Sequence, residues 1–134
     1  MPSPRRLRKR DIMNTESTTN APIDFDQLVD RCGDNPELAR QWIGVFAAEV
    51  AGYVDELQSA FDLQEFEAVI ATAFEIKNSA EMSSAHLNAG VADEIESAAR
   101  SGDCSSAVAI FPELQTQVIR LQEWLENSSA TIAS

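Results

Sequence analysis

The sequence is poor in histidine and cysteine, two residues that often bind metal ions, and histidine is the scarcer of them. His86 is the only histidine among 134 residues. A di-iron helical bundle needs Glu-x-x-His pairs on two of its helices, whereas Ser83 stands three residues before His86. A di-metal site is therefore not expected, and the sequence predicts no bound metal and no cofactor.

Cysteines and long apolar runs are also scarce. Cys32 and Cys104 are the only cysteines, and neither has a histidine at metal-ligand spacing, so we expect two idle thiols in a reducing cytoplasm. No stretch approaches the roughly 18–20 apolar residues of a membrane span. No apolar run follows the N-terminal arginines, as a secretory signal would require. These absences predict a cytoplasmic protein that does not engage a membrane.

Positive charge is scarce everywhere except at the N-terminus. The formal net charge is −12, yet residues 1–10 carry +5, while residues 11–134 have five basic and 22 acidic groups and a net charge of −17. Nucleic acids and anionic lipids bind proteins through phosphate neutralisation. The body of the chain is therefore not expected to bind nucleic acid.

The N-terminal segment, residues 1–22, lacks hydrophobic periodicity and is predicted to be a disordered tail. Its basic run "PRRLRKR" has three interpretations: a small polyanion-binding arm, a plain disordered tail, or an over-extended start upstream of Met13. The sequence favours the second and third of these.

The rest of the chain has the pattern of amphipathic helices, and only five glycines and five prolines interrupt it. Asn35 followed by Pro36 is a strong helix start, and Ser83 or Ser84 is expected to cap the fourth helix. The predicted helices cover about 24–31, 36–61, 65–82, a segment from about Leu87 to Ala99, and 104–127.

Short connections between long amphipathic helices predict an all-α protein, an up-down-up-down four-helix bundle with a short leading helix over residues 23–127. Residues 128–134 are predicted to be a C-terminal tail. The expected inward-facing residues are Trp42, Phe46, Val50, Tyr53, Leu57, Phe61, Phe66, Val69, Ile70, Ala73, Ile76, Ala80, Leu87, Val91, Ile95, Ala98 or Ala99, Val108, Phe111, Leu114, Val118, Leu121 and Leu125.

Phe74 is the residue that fits this pattern least well. It lies about 110° around the third helix from the apolar centre, beside Lys77, Asn78 and Glu81. We expect its ring to be half exposed. Two interpretations stay open: Phe74 widens the core against the leading helix, or it contacts a partner.

Catalytic machinery is not indicated. His86 falls in the first turn of the fourth helix, where a lone histidine is typically a capping or surface residue. No serine or cysteine nucleophile is paired with it by motif. The acids Asp93, Glu94 and Glu96 are interpreted as a solvated helix face. The sequence therefore predicts that the protein is not an enzyme.

The chain from Ile23 to Leu125 resembles a histidine-phosphotransfer (HPt) domain, the four-helix relay module of two-component signalling. The stretches that carry the resemblance are "FDQLVDRCGDNPELARQWIGVFAAEV", "FEAVIATAFEIKNSA" and "SSAHLNAGVADEIESAARSGD". The second stretch aligns with the family signature Ala-His-x-Leu-Lys-Gly-Ser. In that alignment Ala73, Lys77 and Ser79 match, and Ile76 replaces leucine.

Two departures from the signature bear on function. Phe74 stands where the family has its phospho-accepting histidine, and phenylalanine has no nitrogen that could form a phosphoramidate. Asn78 replaces a glycine that leaves room for the partner, while the lysine at the position of Lys77 helps to hold the phosphoryl group in the family. The resemblance therefore implies a degenerate member, similar to plant pseudo-phosphotransfer proteins.

The leading hypothesis is an adaptor or inhibitor that is unable to accept phosphate and that docks a response-regulator receiver domain or a hybrid sensor kinase. It is expected to be a monomer with no catalytic residue, and its docking surface is predicted to comprise Ile70, Ala71, Phe74, Lys77, Asn78 and Glu81. Two alternatives stay open: an active relay protein that uses His86, and a helical structural or oligomerisation module.

Overall fold

The protein folds into five helices joined by short connections. The computed structural model describes residues 21–133, with side chains for residues 21–127. Within this range there is no strand, and the helices are α1 (Phe25–Arg31), α2 (Pro36–Asp62), α3 (Phe66–Met82), α4 (His86–Arg100) and α5 (Cys104–Ala133). The predicted all-α class is confirmed. The predicted disorder of residues 1–20 lies outside the described residues.

Local sequence signals explain where most helices begin. Asn35 caps α2 by accepting a hydrogen bond from the backbone N–H of Leu38 at 3.1 Å, and Pro36 follows at the first helical position, as predicted. Asp103 caps α5 in the same way through the N–H of Ser106 at 3.1 Å. These bonds satisfy N–H groups that have no partner inside the helix.

The prediction that Ser83 or Ser84 caps α4 is wrong. The residue at that position is Ala85, with no side-chain cap. Ser84 instead closes the preceding helix, because it adopts a left-handed backbone with φ of 60° and lets the next N–H bond back to the carbonyl of Ala80 at 2.8 Å. Gln64 (φ 58°) closes α2 and Gly102 (φ 84°) closes α4 by the same geometry.

Helices α2 to α5 form the four-helix bundle. Helix α2 packs against α3 and α5, and α4 also packs against α3 and α5, so the four helices enclose one core. The fully buried large side chains include Ile43, Leu57, Ile76, Ile95 and Leu114. The predicted four-helix bundle with a short leading helix is therefore confirmed.

Three predicted environments are wrong. Trp42 and Val108, expected in the core, are 39% and 51% exposed, and Ala107 occupies the buried position beside Val108. Glu96, expected on a solvated face, is buried with 5% exposure. In each case the helix was predicted correctly, and the neighbouring helices determine which part of it is covered.

Helix α1 covers one end of the bundle. The backbone N–H of Asp24 donates to the carbonyl of Ser84 at 2.8 Å, and the Arg31 guanidinium donates to the carbonyl of Glu81 at 2.6 Å. The rings of Phe25 and Trp124 lie 5.8 Å apart. Pro22, predicted to end the tail, is buried. The chain therefore enters the bundle beside the α3–α4 connection.

The C-terminal boundary of α5 differs from the predicted one. Helix α5 continues to Ala133, beyond the end expected near Asn127. Across the part of the chain that the structure describes, no helix has both the length and the apolar character needed to span a membrane.

Candidate functional site

Phe74 lies on the outer flank of α3. Its neighbours Ala73 and Ile76 point into the core and are fully buried, so the helical turn carries Phe74 to the edge of the buried face. The ring is 41% exposed. The prediction that Phe74 is half exposed is confirmed, and a purely internal role for the ring does not fit this exposure.

Lys77 is held beside Phe74 by two carboxylates. Its Nζ lies 5.3 Å from the centroid of the Phe74 ring, within the range of a cation–π contact. The same atom lies 2.8 Å from Oε1 of Glu96 and 3.3 Å from Oδ1 of Asp93. The positive charge of Lys77 is therefore already balanced by two carboxylates of α4.

Glu96 is the buried member of this network. Its second oxygen, Oε2, accepts from Nε of Arg100 at 2.8 Å, so the carboxylate lies between two cations. Lys77 is the main cause that holds the pKa of Glu96 below its usual value, with Arg100 adding to it and burial opposing it. The hydrogen bond to Glu96 likewise raises the pKa of Lys77, although partial desolvation opposes this shift.

The polar groups around Phe74 line one depression between α3 and α4, with a volume of about 490 Å³. It contains four of the six residues predicted to dock a partner, together with four residues that were not predicted. Of the other two predicted residues, Ile70 is half-buried against the core and Ala71 is exposed outside the depression. The lining residues are Phe74, Lys77, Asn78, Glu81, His86, Ala89, Gly90 and Asp93.

His86 belongs to the same depression. Its side chain is exposed at the start of α4, and its Nε2 lies 2.9 Å from Oε1 of Gln27 on α1. The prediction of a surface histidine is confirmed. Because the sequence gives no distance between helices, its position near Lys77 was not predicted.

A second, more apolar groove lies between α2 and α3, with a volume of about 470 Å³. Four large apolar side chains on its walls are at least 39% exposed: Leu38, Trp42, Val45 and Met82. Nε1 of Trp42 donates to Oγ of Ser83 at 2.8 Å, which fixes the indole beside the α3–α4 connection. Sequence reasoning missed this groove because it assigned Trp42 to the core.

The groove and the depression adjoin along α3. Phe74, Asn78 and Met82 follow one another at intervals of four residues and therefore form one row on the helix. Phe74 and Asn78 line the depression, and Met82 lines the groove. Among the described residues, no three His, Cys, Asp or Glu side chains are grouped so that they could hold a metal ion.

The arrangement of helices and the signature residues of α3 agree with a comparison against protein-family models. Residues 41–124, more than half of the chain, match the model described as Hpt domain. The chain belongs to the Hpt domain family. The match runs from α2 through Trp124 and includes the whole of α3 and α4. Comparisons with curated proteins and with solved structures found no match.

Membership in the Hpt family fixes the broad function. Hpt domains are phosphotransfer carriers rather than conventional enzymes, and they interact with response regulators and kinases. The protein is therefore a component of two-component phosphorelay signalling. The resemblance inferred from the α3 signature is confirmed at the level of the family.

Proposed function

We propose that this Hpt-family protein is an adaptor that docks a receiver domain or a hybrid sensor kinase and takes no phosphoryl group at the family's acceptor position. The observation that carries the proposal is the exposed ring of Phe74, where the family signature has its histidine. Phosphoryl transfer to that position requires a nucleophilic ring nitrogen, which phenylalanine lacks.

The neighbours of Phe74 support the same proposal. A lysine that stabilises a phosphoryl group must offer its charge to the phosphate oxygens. Lys77 instead has Glu96 and Asp93 within 3.3 Å. A phosphate brought to this position would compete with both carboxylates and would be repelled by them.

The exposed ring has the make-up of an interface anchor. Aromatic side chains surrounded by polar groups are frequent at the centres of protein interfaces, where they bury a large area and lose little conformational freedom. Asn78 and Glu81 provide hydrogen-bonding groups beside the ring, and Ala71 leaves the next turn of α3 open. We place Ile70 at the edge of the same surface. The protein acts as a monomer in the cytoplasm under this proposal.

A second candidate function is favoured by the position of His86. This exposed imidazole shares the depression with Lys77, so a phosphoryl group on His86 would have a cation in the same depression. Its Nε2 is engaged by Gln27, however, and Lys77 is held by α4. An active relay through His86 would need both contacts to be exchanged.

Phosphoryl transfer from a phosphorylated receiver separates the two functions. We expect the wild-type protein to bind the receiver and to acquire no acid-labile phosphate. Label that appears on the wild type and disappears in His86→Ala would replace the adaptor by the active relay. If no receiver or kinase domain from the same cell binds the wild type, the docking function is wrong and a structural module takes its place.

A further inference from the structure

We propose that the groove between α2 and α3 is occupied by the N-terminal segment of this same chain, residues 5–13, through its basic run and the apolar pair Ile12 and Met13. The lining of the groove belongs to the described part of the chain, whereas residues 1–20 lie outside the described residues. This intramolecular contact is independent of phosphotransfer at Phe74.

The position at which the chain enters the bundle brings the segment to the groove. The backbone of Asp24 is hydrogen-bonded to Ser84, and the groove begins at Met82 and Ser83, two of its lining residues. Met13 lies eight residues before Ala21 in the sequence, and an extended chain of eight residue steps reaches about 26–29 Å. The groove follows α2 from Leu38 to Val45, a distance of about 10 Å on a helix. The segment can therefore reach every part of the groove.

The composition of the segment matches the walls of the groove. Leu7, Ile12 and Met13 are its larger apolar residues downstream of Met1, and they suit walls formed by exposed Trp42 and Val45. Residues 14–20, "NTESTTN", are all polar and contain no apolar residue that would compete for the groove. We therefore treat this stretch as a spacer.

Charge favours the same contact. Residues 1–10 carry +5, and residues 11–134 carry −17. Among the described residues, Glu49 is the one charged residue that lines the groove. Along the same side of α2 and α3, Glu49, Glu75 and Glu56 add to burial in raising the pKa of Tyr53. A basic segment next to these carboxylates gains attraction that a second copy of the acidic bundle would not.

Tethering makes a weak contact sufficient. A segment attached through a short spacer is present at an effective concentration of about millimolar, so an intrinsic dissociation constant in that range already gives about half occupancy of the groove. Because Met82 and Phe74 lie on one row of α3, an occupied groove would cover one flank of the docking surface. This consequence rests on the proposed function, whereas the contact itself does not.

The test uses the full chain and the fluorescence of Trp42. The second tryptophan, Trp124, is replaced by phenylalanine in every protein compared, so that Trp42 alone reports on the groove. We expect acrylamide to quench Trp42 about twofold more strongly in the double variant Ile12→Ser, Met13→Ser than in the parent, because an uncovered exposed indole is open to solvent. A matched double variant in the spacer, Thr18→Ala, Thr19→Ala, should leave quenching unchanged.

The electrostatic part of the contact is tested by salt. Raising the ionic strength from about 0.05 M to about 0.5 M should increase quenching in the parent, since the Debye length falls severalfold. The same increase should be absent when the five basic residues of the segment are replaced by glutamine. Val45→Lys in the groove should release the segment, and Val108→Lys on an exposed face of α5 should not.

A second measurement needs no substitution of Trp124. The chain has three methionines, Met1, Met13 and Met82, so a sample labelled on methionine methyl groups gives three signals. We expect the Met82 signal to shift in the Ile12→Ser, Met13→Ser protein and not in the spacer control. Equal quenching and an unchanged Met82 signal in all proteins would overturn the proposal. Protection of Trp42 that grows with protein concentration would also overturn it, because a second copy would then be the occupant.

Discussion

The Nζ atom of Lys77 and the Oε1 atom of Glu96 lie 2.8 Å apart across the α3–α4 interface, with the side chain of Glu96 only 7% exposed. A buried carboxylate needs such partners, since an unpaired charge in this position is strongly disfavoured. The pair links the helix that carries Phe74 to its neighbour. It also engages the ammonium group of Lys77.

The first prediction concerns acid stability. The pKa of Glu96 in the folded protein lies below its ordinary value of 4.5, so its stabilising effect is present above that pH and is lost as the pH falls through the folded pKa. Glu96→Gln should therefore reduce the loss of unfolding free energy between about pH 6 and about pH 3, measured by urea titration. Exposed Glu94→Gln is the control and should follow the wild type. Equal pH dependence in all three proteins would show that Glu96 is not stabilised by Lys77.

The second prediction separates binding from folding at Phe74. Phe74→Ala should weaken binding of a receiver by about 2 kcal/mol, roughly 30-fold in Kd, if the ring is an interface anchor. Its cost in unfolding free energy should be smaller than the roughly 3–5 kcal/mol expected for truncating a buried phenylalanine, for which Phe46→Ala is the comparison. Ile119→Ala, on the exposed face of α5, should leave receiver binding unchanged. An unfolded Phe74→Ala protein would assign the ring to the core.

The third prediction restores the family signature. Phe74→His combined with Asn78→Gly should accept phosphate from a phosphorylated receiver, because an imidazole nitrogen can displace the aspartyl carboxylate at phosphorus. Transfer should be slow, since Lys77 is held by Glu96 and Asp93. Asn78→Gly alone should acquire no label. If the double variant binds the receiver and stays unlabelled, more of the active site has diverged than the two signature positions.

The fourth prediction concerns the end of α2. Gln64 is exposed and has φ of 58°, a conformation that costs a residue with a side chain about 1–2 kcal/mol and glycine little. Gln64→Gly should therefore raise the free energy of unfolding by about 0.5 kcal/mol after the entropy lost by glycine is subtracted. Gln58→Gly, inside the same helix, should lower it by about 1 kcal/mol. Both are read from the urea midpoint at constant m-value.

Helix positions were largely predictable from the sequence because their signals are local. Asn35 and Pro36 define the start of α2 through groups within three residues, and the structure places that start at Pro36. The exposure of Phe74 was also predictable, since it depends only on the angle between Phe74 and the apolar face of its own helix.

The missed features depend on how helices pack together. Trp42 continues the apolar stripe of α2, but it lies beside the α3–α4 connection, where none of the described helices covers it, and so it lines a groove. Glu96 has the sequence context of a surface acid, and only the register between α3 and α4 brings Lys77 to it. The pair Glu96 and Arg100, four residues apart, was the one local signal that could have indicated an ordered carboxylate.

The 5.8 Å contact between Phe25 and Trp124 also has a mechanical consequence. It places the first helix and the later part of α5 at the same end of the molecule, so opposing forces applied at these two residues act across their contact rather than along the length of the bundle. Such a load breaks the contacts between the helices sequentially, one turn after another, so each step breaks only a few contacts. The fold should therefore yield to pulling at these points at lower force than to pulling on opposite ends of α2.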